Sequence, residues 1–151
     1  MNKLLTLGLV LLGSIASVNG IASETSLAFK SAYIRAPIPG MQNTSGYMTL
    51  TNDSKQNITL VSASSDSADK IEFHDHVMTN GVMKMTQLHQ VKIKAGETIT
   101  FQSGGLHLMV FGLKQVDQSK PINIAFLTTE GLTIDAQFDI KSIHQEHHHH
   151  H

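Results

Sequence analysis

The chain contains no cysteine. That absence excludes a disulfide framework, so stability has to come from an ordinary hydrophobic core. It excludes a thiol nucleophile, and it excludes a blue-copper electron-transfer centre, which requires a cysteine thiolate. An excess of positive charge is missing too: with Lys3 set aside, ten Lys and Arg stand against twelve Asp and Glu. No basic block and no interleaving of basic with aromatic residues occurs, which argues against a nucleic-acid partner. The patterns G-x-S-x-G, H-E-x-x-H and G-x-x-x-x-G-K are also absent, leaving no signature of a serine hydrolase, a zinc protease or a phosphate loop. Internal repeats and long linkers are lacking as well.

The two ends carry processing signals. The opening "MNKLLTLGLVLLGSIASVNGIAS" has a basic start at Lys3, an apolar stretch from Leu4 to Val18, and then small residues. This is the layout of a secretory signal peptide, cut after Gly20 or Ala22. The stretch is short for a membrane span and is diluted by Thr6, Gly8, Gly13 and Ser14. An uncleaved anchor is the competing reading, whereas a lipid anchor would need a cysteine. The five histidines 147–151 look like a purification tag and are set aside. The expected organisation is a signal peptide over 1–22, one domain over 23–143, and a tail with the tag over 144–151. A protein of this layout is exported, and after cleavage it has no stable membrane association.

From Ser26 onward the chain is a series of short alternating runs rich in β-branched residues. The expected strands cover 27–36, 46–52, 57–65, 70–78, 82–93, 98–102, 106–113, 122–129 and 132–140. Only Ser64–Asp69 has the small, polar composition of a short helical turn. Strands at this spacing, separated by Gly- and Asn-rich turns, indicate a single all-β domain, a sandwich or a barrel.

One hairpin can be read in detail. In "MTNGVM" (78–83), Asn80-Gly81 is the residue pair of a two-residue type I′ turn. Such a turn pairs Thr79 with Val82, Met78 with Met83, and His76 with Met85. One face then carries His74, His76, Met78, Met83, Met85 and Gln87, and the other Phe73, Asp75, Val77, Val82, Lys84 and Thr86. In "GGLHLMVFGLK" (104–114), His107 and Met109 likewise share a face, turned away from Leu106, Leu108 and Val110.

Methionine is ordinarily a core filler; here its placement points elsewhere. Four of the six methionines after Met1 and four of the five histidines outside the tag fall between residues 74 and 109. Imidazole with thioether is a ligand set suited to Cu(I), because the sulfur is soft and neutral, and poor for Mg(II) or Ca(II). A thioether also needs no deprotonation to bind a metal. An exported, cysteine-free chain with clustered Met and His thus has a composition suited to handling Cu(I).

The spacing His74, ten residues, Met85, twenty-one residues, His107, one residue, Met109 resembles the H-x10-M-x21-H-x-M signature of periplasmic copper(I) chaperones of the PCu(A)C type. "YIRAPIPG" (33–40), "SGYMTLTN" (45–52), "IEFHDHVMTNGVMKM" (71–85) and "GGLHLMVFGLK" (104–114) are similar to that family too, so the likeness spans nearly the whole chain after the signal.

The resemblance implies a cupredoxin-like Greek-key β-sandwich that binds one Cu(I) per chain through His74, Met85, His107 and Met109. It implies a periplasmic monomer that is not an enzyme. Its cargo would pass to the CuA-bearing subunit of cytochrome c oxidase, among other periplasmic copper-assembly proteins. Some members of the family add a His- and Met-rich C-terminal tail; this chain offers only His144 there. The hairpin register sets His76, not His74, directly across from Met85, which makes His76 a neighbour or reserve ligand. Met78 and Met83 read either as shields of the metal or as ordinary packing, and His89 as a solvated strand residue. Two alternatives stay open: a copper-buffering or tolerance protein with the same site, and an Ig-like interaction module whose Met/His face is core.

Overall fold

The computed structural model describes residues 26–115 and 117–142. The expected signal peptide, the tail from 144 and the outermost residues of the expected domain lie outside the described residues. All regular structure among those residues is strand: β1 (Leu27–Arg35), β2 (Thr44–Asn52), β3 (Ile58–Ser64), β4 (Lys70–Thr79), β5 (Val82–Leu88), β6 (Val91–Ile93), β7 (Thr98–Phe101), β8 (His107–Phe111), β9 (Ile122–Thr128) and β10 (Thr133–Lys141).

The strands follow from the alternation. In β9, Ile122, Ile124, Phe126 and Thr128 are buried, while Asn123 and Leu127 between them face solvent. β10 does the same with Ala136, Phe138 and Ile140. One face of each strand is therefore committed to the interior, which fixes the register, because a one-residue slip would turn every apolar side chain outward.

Hydrogen-bonded neighbours run β4, β8, β2, β1, β10, β9, β3, and the pair Ala63–Ile71 joins β3 back to β4. The sheet closes on itself in a barrel-like circuit of seven strands, to which β5, β6 and β7 are added. β1 and β10 run parallel; the other pairings are antiparallel. Inside lies one apolar core. Phe126 stands at its centre, with ring centroids 5.3 Å from Phe29, 6.4 Å from Phe73 and 6.2 Å from Phe138. Burying an aromatic side chain of this kind contributes about 1.5–3 kcal/mol from area alone.

Two expectations need correction. The run 82–93 is not one strand: β5 ends at Leu88, the chain bends at His89 and Gln90, and β6 pairs with β3 through Leu60–Val91. The cause is competition for an edge. β5 lies beside β4 as far as Phe73, but at Ile71 that edge of β4 already belongs to β3, so the chain has to leave and resume elsewhere. His89 is accordingly an exposed residue of a bend, not of a strand. The segment after Ser64 forms a turn rather than a helical one, held by Ala68 N donating to Ser65 O and Ser67 N donating to Ser65 Oγ.

Candidate metal centre

The Asn80-Gly81 turn has φ of 51° and 78° at its two residues. Both are left-handed, as a type I′ turn requires. The register follows as expected: Thr79 opposes Val82, Met78 opposes Met83 and His76 opposes Met85. On its other edge β4 pairs with β8 only over Lys70–His74. Residues 75–79 therefore pair with β5 alone, and the hairpin continues past the barrel as a two-stranded ribbon.

Where ribbon and barrel meet, the outward-facing side chains of three adjacent strands share one surface. His74 on β4 stands directly opposite His107 on β8, with ring centroids 5.9 Å apart. Two residues toward the barrel, Glu72 opposes Met109. Two residues toward the tip, His76 opposes Met85 on β5, and its ring stacks on His107 at 5.2 Å. Both Met85 and Met109 are thus diagonal neighbours of His74, a relation that long side chains can bridge. Their surroundings differ. His74 is 9% exposed and His107 4%, Met109 is half-buried, and Met85 is 51% exposed.

The buried imidazoles are held by specific partners. His74 Nε2 lies 2.8 Å from Glu72 Oε2, and Lys70 Nζ lies 2.9 Å from Glu72 Oε1. Hydrogen bonds from His74 and from Lys70 hold the Glu72 carboxyl below the usual carboxylate range. His107 Nδ1 lies 2.8 Å from Gly105 O; a carbonyl oxygen only accepts, so this nitrogen carries the proton and Nε2 keeps a lone pair. His76 Nδ1 approaches the same carbonyl at 3.4 Å. That oxygen is aimed by the β7–β8 turn, in which Gly104 has φ of 79° and Gln102 N donates to Leu106 O at 2.7 Å. Burial, above all, pushes the His107 pKa below its ordinary value, although the Gly105 carbonyl pulls the other way. The ring is therefore neutral, and able to act as a ligand, near neutral pH.

A donor set that joined these imidazoles to the neighbouring thioethers would select a soft ion. The alternative in which the Met/His face is core does not fit: Met78, Met83 and Met85 are each at least half exposed. A surface cleft of about 770 Å³, lined by residues 37–43, 113–115, Gln118 and Ile140, contains none of the candidate ligands.

The structure brings His74, His107 and His76 together and sets Met85 and Met109 on either side of them. Sequence reasoning gave His76 a reserve role, yet its ring is nearer to His107 than that of His74. Sequence reasoning also missed Glu72 and Gly105. The signal for Glu72 was available, since a residue two before His74 on a strand shares its face.

A family model described as LpqE-like ("Putative lipoprotein LpqE-like") matches residues 27–140. "Putative lipoprotein Lxx21020" of Leifsonia xyli subsp. xyli is 27% identical over 112 residues, 73% of this chain; the chain spans 66% of that relative's length. The copper-bound PCuAC domain from PmoF2 superposes with a TM-score of 0.64 at 13% identity, over 77% of this chain and 92% of that domain. The solution structure of CuI-DR1885 from Deinococcus radiodurans gives a TM-score of 0.57 at 30% identity, over 83% of each chain. The all-β, cupredoxin-like fold implied by the resemblance is the fold of this chain.

Proposed function

The chain belongs to the LpqE-like family, and from that premise and the face shared by β4, β5 and β8 we propose that it is an exported Cu(I) carrier. One Cu(I) is held by His74, Met85, His107 and Met109 and is passed on by ligand exchange. The observation that carries this reading is the opposed pair of buried imidazoles flanked by two thioethers, one of them exposed. A 30% identical protein solved with Cu(I) supports it, as does the soft, thiol-free donor set.

The division between buried and exposed ligands suits exchange. His74 and His107 are fixed by packing and hydrogen bonds, so they retain the ion, while Met85 sits at the solvent side where an acceptor's ligand can replace it. Copper stays Cu(I) throughout, and no electron moves. Cysteine thiolates of an acceptor are softer and charged, so transfer to them runs downhill. The compartment is the periplasm, the working form is a monomer, and the acceptor is the CuA-bearing subunit of cytochrome c oxidase. The protein is a binder, not an enzyme.

The test is an anaerobic Cu(I) titration, against a competing chelator, of protein lacking the signal and residues 147–151. One equivalent is expected in the wild type, with no comparable binding in His107→Ala or Met109→Leu. Equal binding by all three proteins contradicts the assignment. Transfer to an isolated CuA domain separates a carrier from a buffering protein, which would bind copper as well but not yield it.

A further inference from the structure

The two buried histidines offer opposite ring nitrogens. We propose that Glu72, itself held by Lys70, is a positioning residue that fixes His74 as its Nε2–H tautomer, so that His74 binds Cu(I) through Nδ1 while His107 binds through Nε2. This inference rests on the copper-site reading above and assigns it donor atoms.

Three observations carry it. First, Glu72 Oε2 lies 2.8 Å from His74 Nε2. An ionised carboxylate only accepts hydrogen bonds, so in a neutral imidazole the proton between them belongs to Nε2. Second, the clamp is anchored: the other Glu72 oxygen is engaged by Lys70 at 2.9 Å, and both Glu72 and His74 are largely shielded from solvent. Third, His74 Nδ1 is buried and has no hydrogen-bond partner among the described residues. Buried polar atoms ordinarily find a partner, and an exception calls for an explanation. A lone pair kept bare for an incoming ion supplies one. At His107 the Gly105 carbonyl takes the Nδ1 proton instead, which leaves Nε2 free. A carboxylate or backbone carbonyl on the non-ligating nitrogen is the usual way a protein orients a metal-binding imidazole and raises its basicity. Here each histidine has one, on opposite nitrogens.

Glu72 lies on the outer face, directly opposite Met109. Copper bound by His74 Nδ1 leaves the Glu72 bond intact. Copper bound by Nε2 would have to displace it.

The experiment is nitrogen-15 NMR of the imidazoles in the tag-free protein at neutral pH, before and after one equivalent of Cu(I) under anaerobic conditions. The expected result is a His74 protonated at Nε2 in the free protein, with Cu(I) shifting the Nδ1 resonance while the Nε2 proton remains. A copper-induced shift at Nε2 with loss of that proton overturns the inference and leaves the copper site standing. A shift at neither nitrogen of His74, in protein that binds copper, overturns the ligand assignment itself and this inference with it. Variants give a second readout. Glu72→Ala is expected to weaken Cu(I) binding about 10- to 100-fold, whereas Glu72→Gln, whose carbonyl oxygen still accepts from Nε2–H, restores most of the affinity. Equal affinities for wild type and a folded Glu72→Ala contradict the positioning role.

Discussion

The barrel and the β4–β5 ribbon are made of the same kind of strand, yet they do opposite things with their apolar side chains. In β4, Ile71 and Phe73 face inward and are buried; Val77, further along the same face, is 43% exposed. On the other face His74 is buried and Glu72 largely shielded, while Met78 is 60% exposed. Nothing in the alternation changes along the strand. What changes is the neighbour: as far as His74 it is β8 and the barrel, and beyond that only β5. The border between the two regimes runs through the candidate site, with His74 and His107 on the barrel side and Met85 on the ribbon. A carrier needs both properties, a rigid half that holds the ion and an open half that lets it go.

The contrast can be broken most forcefully in the barrel. Phe126→Ala removes a fully buried ring that touches three other phenylalanines and is expected to cost about 3–5 kcal/mol. Urea unfolding reads this directly, and a loss under 1 kcal/mol would mean that the barrel interior is not the close-packed half. A smaller effect is expected at the ribbon's tip. A Cβ at Gly81 meets no atom within 4 Å, but φ there is +78°, so Gly81→Ala carries a purely conformational cost of about 1 kcal/mol. Amide exchange should quicken across the β4–β5 pairs and stay unchanged across β9–β10; uniform quickening would merge the two regions into one cooperative unit. Smallest of all is Met83→Ser, expected to leave stability within about 0.5 kcal/mol because its side chain is already 53% exposed. A loss as large as that of a core residue would show the ribbon to be buried in solution.

Local chemistry was legible in the sequence. Asn80-Gly81 has one good backbone solution, and from it the pairing of His76 with Met85 follows without tertiary information. The shared face of His107 and Met109 is legible for the same reason, since strand alternation is local. Non-local competition was hidden: the break between β5 and β6 arises because β3 takes the edge of β4 at Ile71, and no residue at 89–90 announces it. Glu72 was half legible: strand alternation puts it on the face of His74, but its role as a partner was hidden. An acidic residue in a strand reads as solvated, and it becomes a partner of His74 only once β8 shields both. The opposition of His74 to His107 belongs to the same class, because it depends on how strands thirty residues apart are set in register.

The proposed site holds Cu(I) where these regions meet, by two imidazoles and two thioethers. The decisive measurement is X-ray absorption at the copper edge, on anaerobic tag-free protein loaded with one equivalent of Cu(I). Two nitrogen and two sulfur scatterers are expected in the wild type, with one sulfur lost in Met85→Leu and the nitrogens retained. A first shell of nitrogen and oxygen alone, or a wild-type shell unchanged by Met85→Leu, would contradict it.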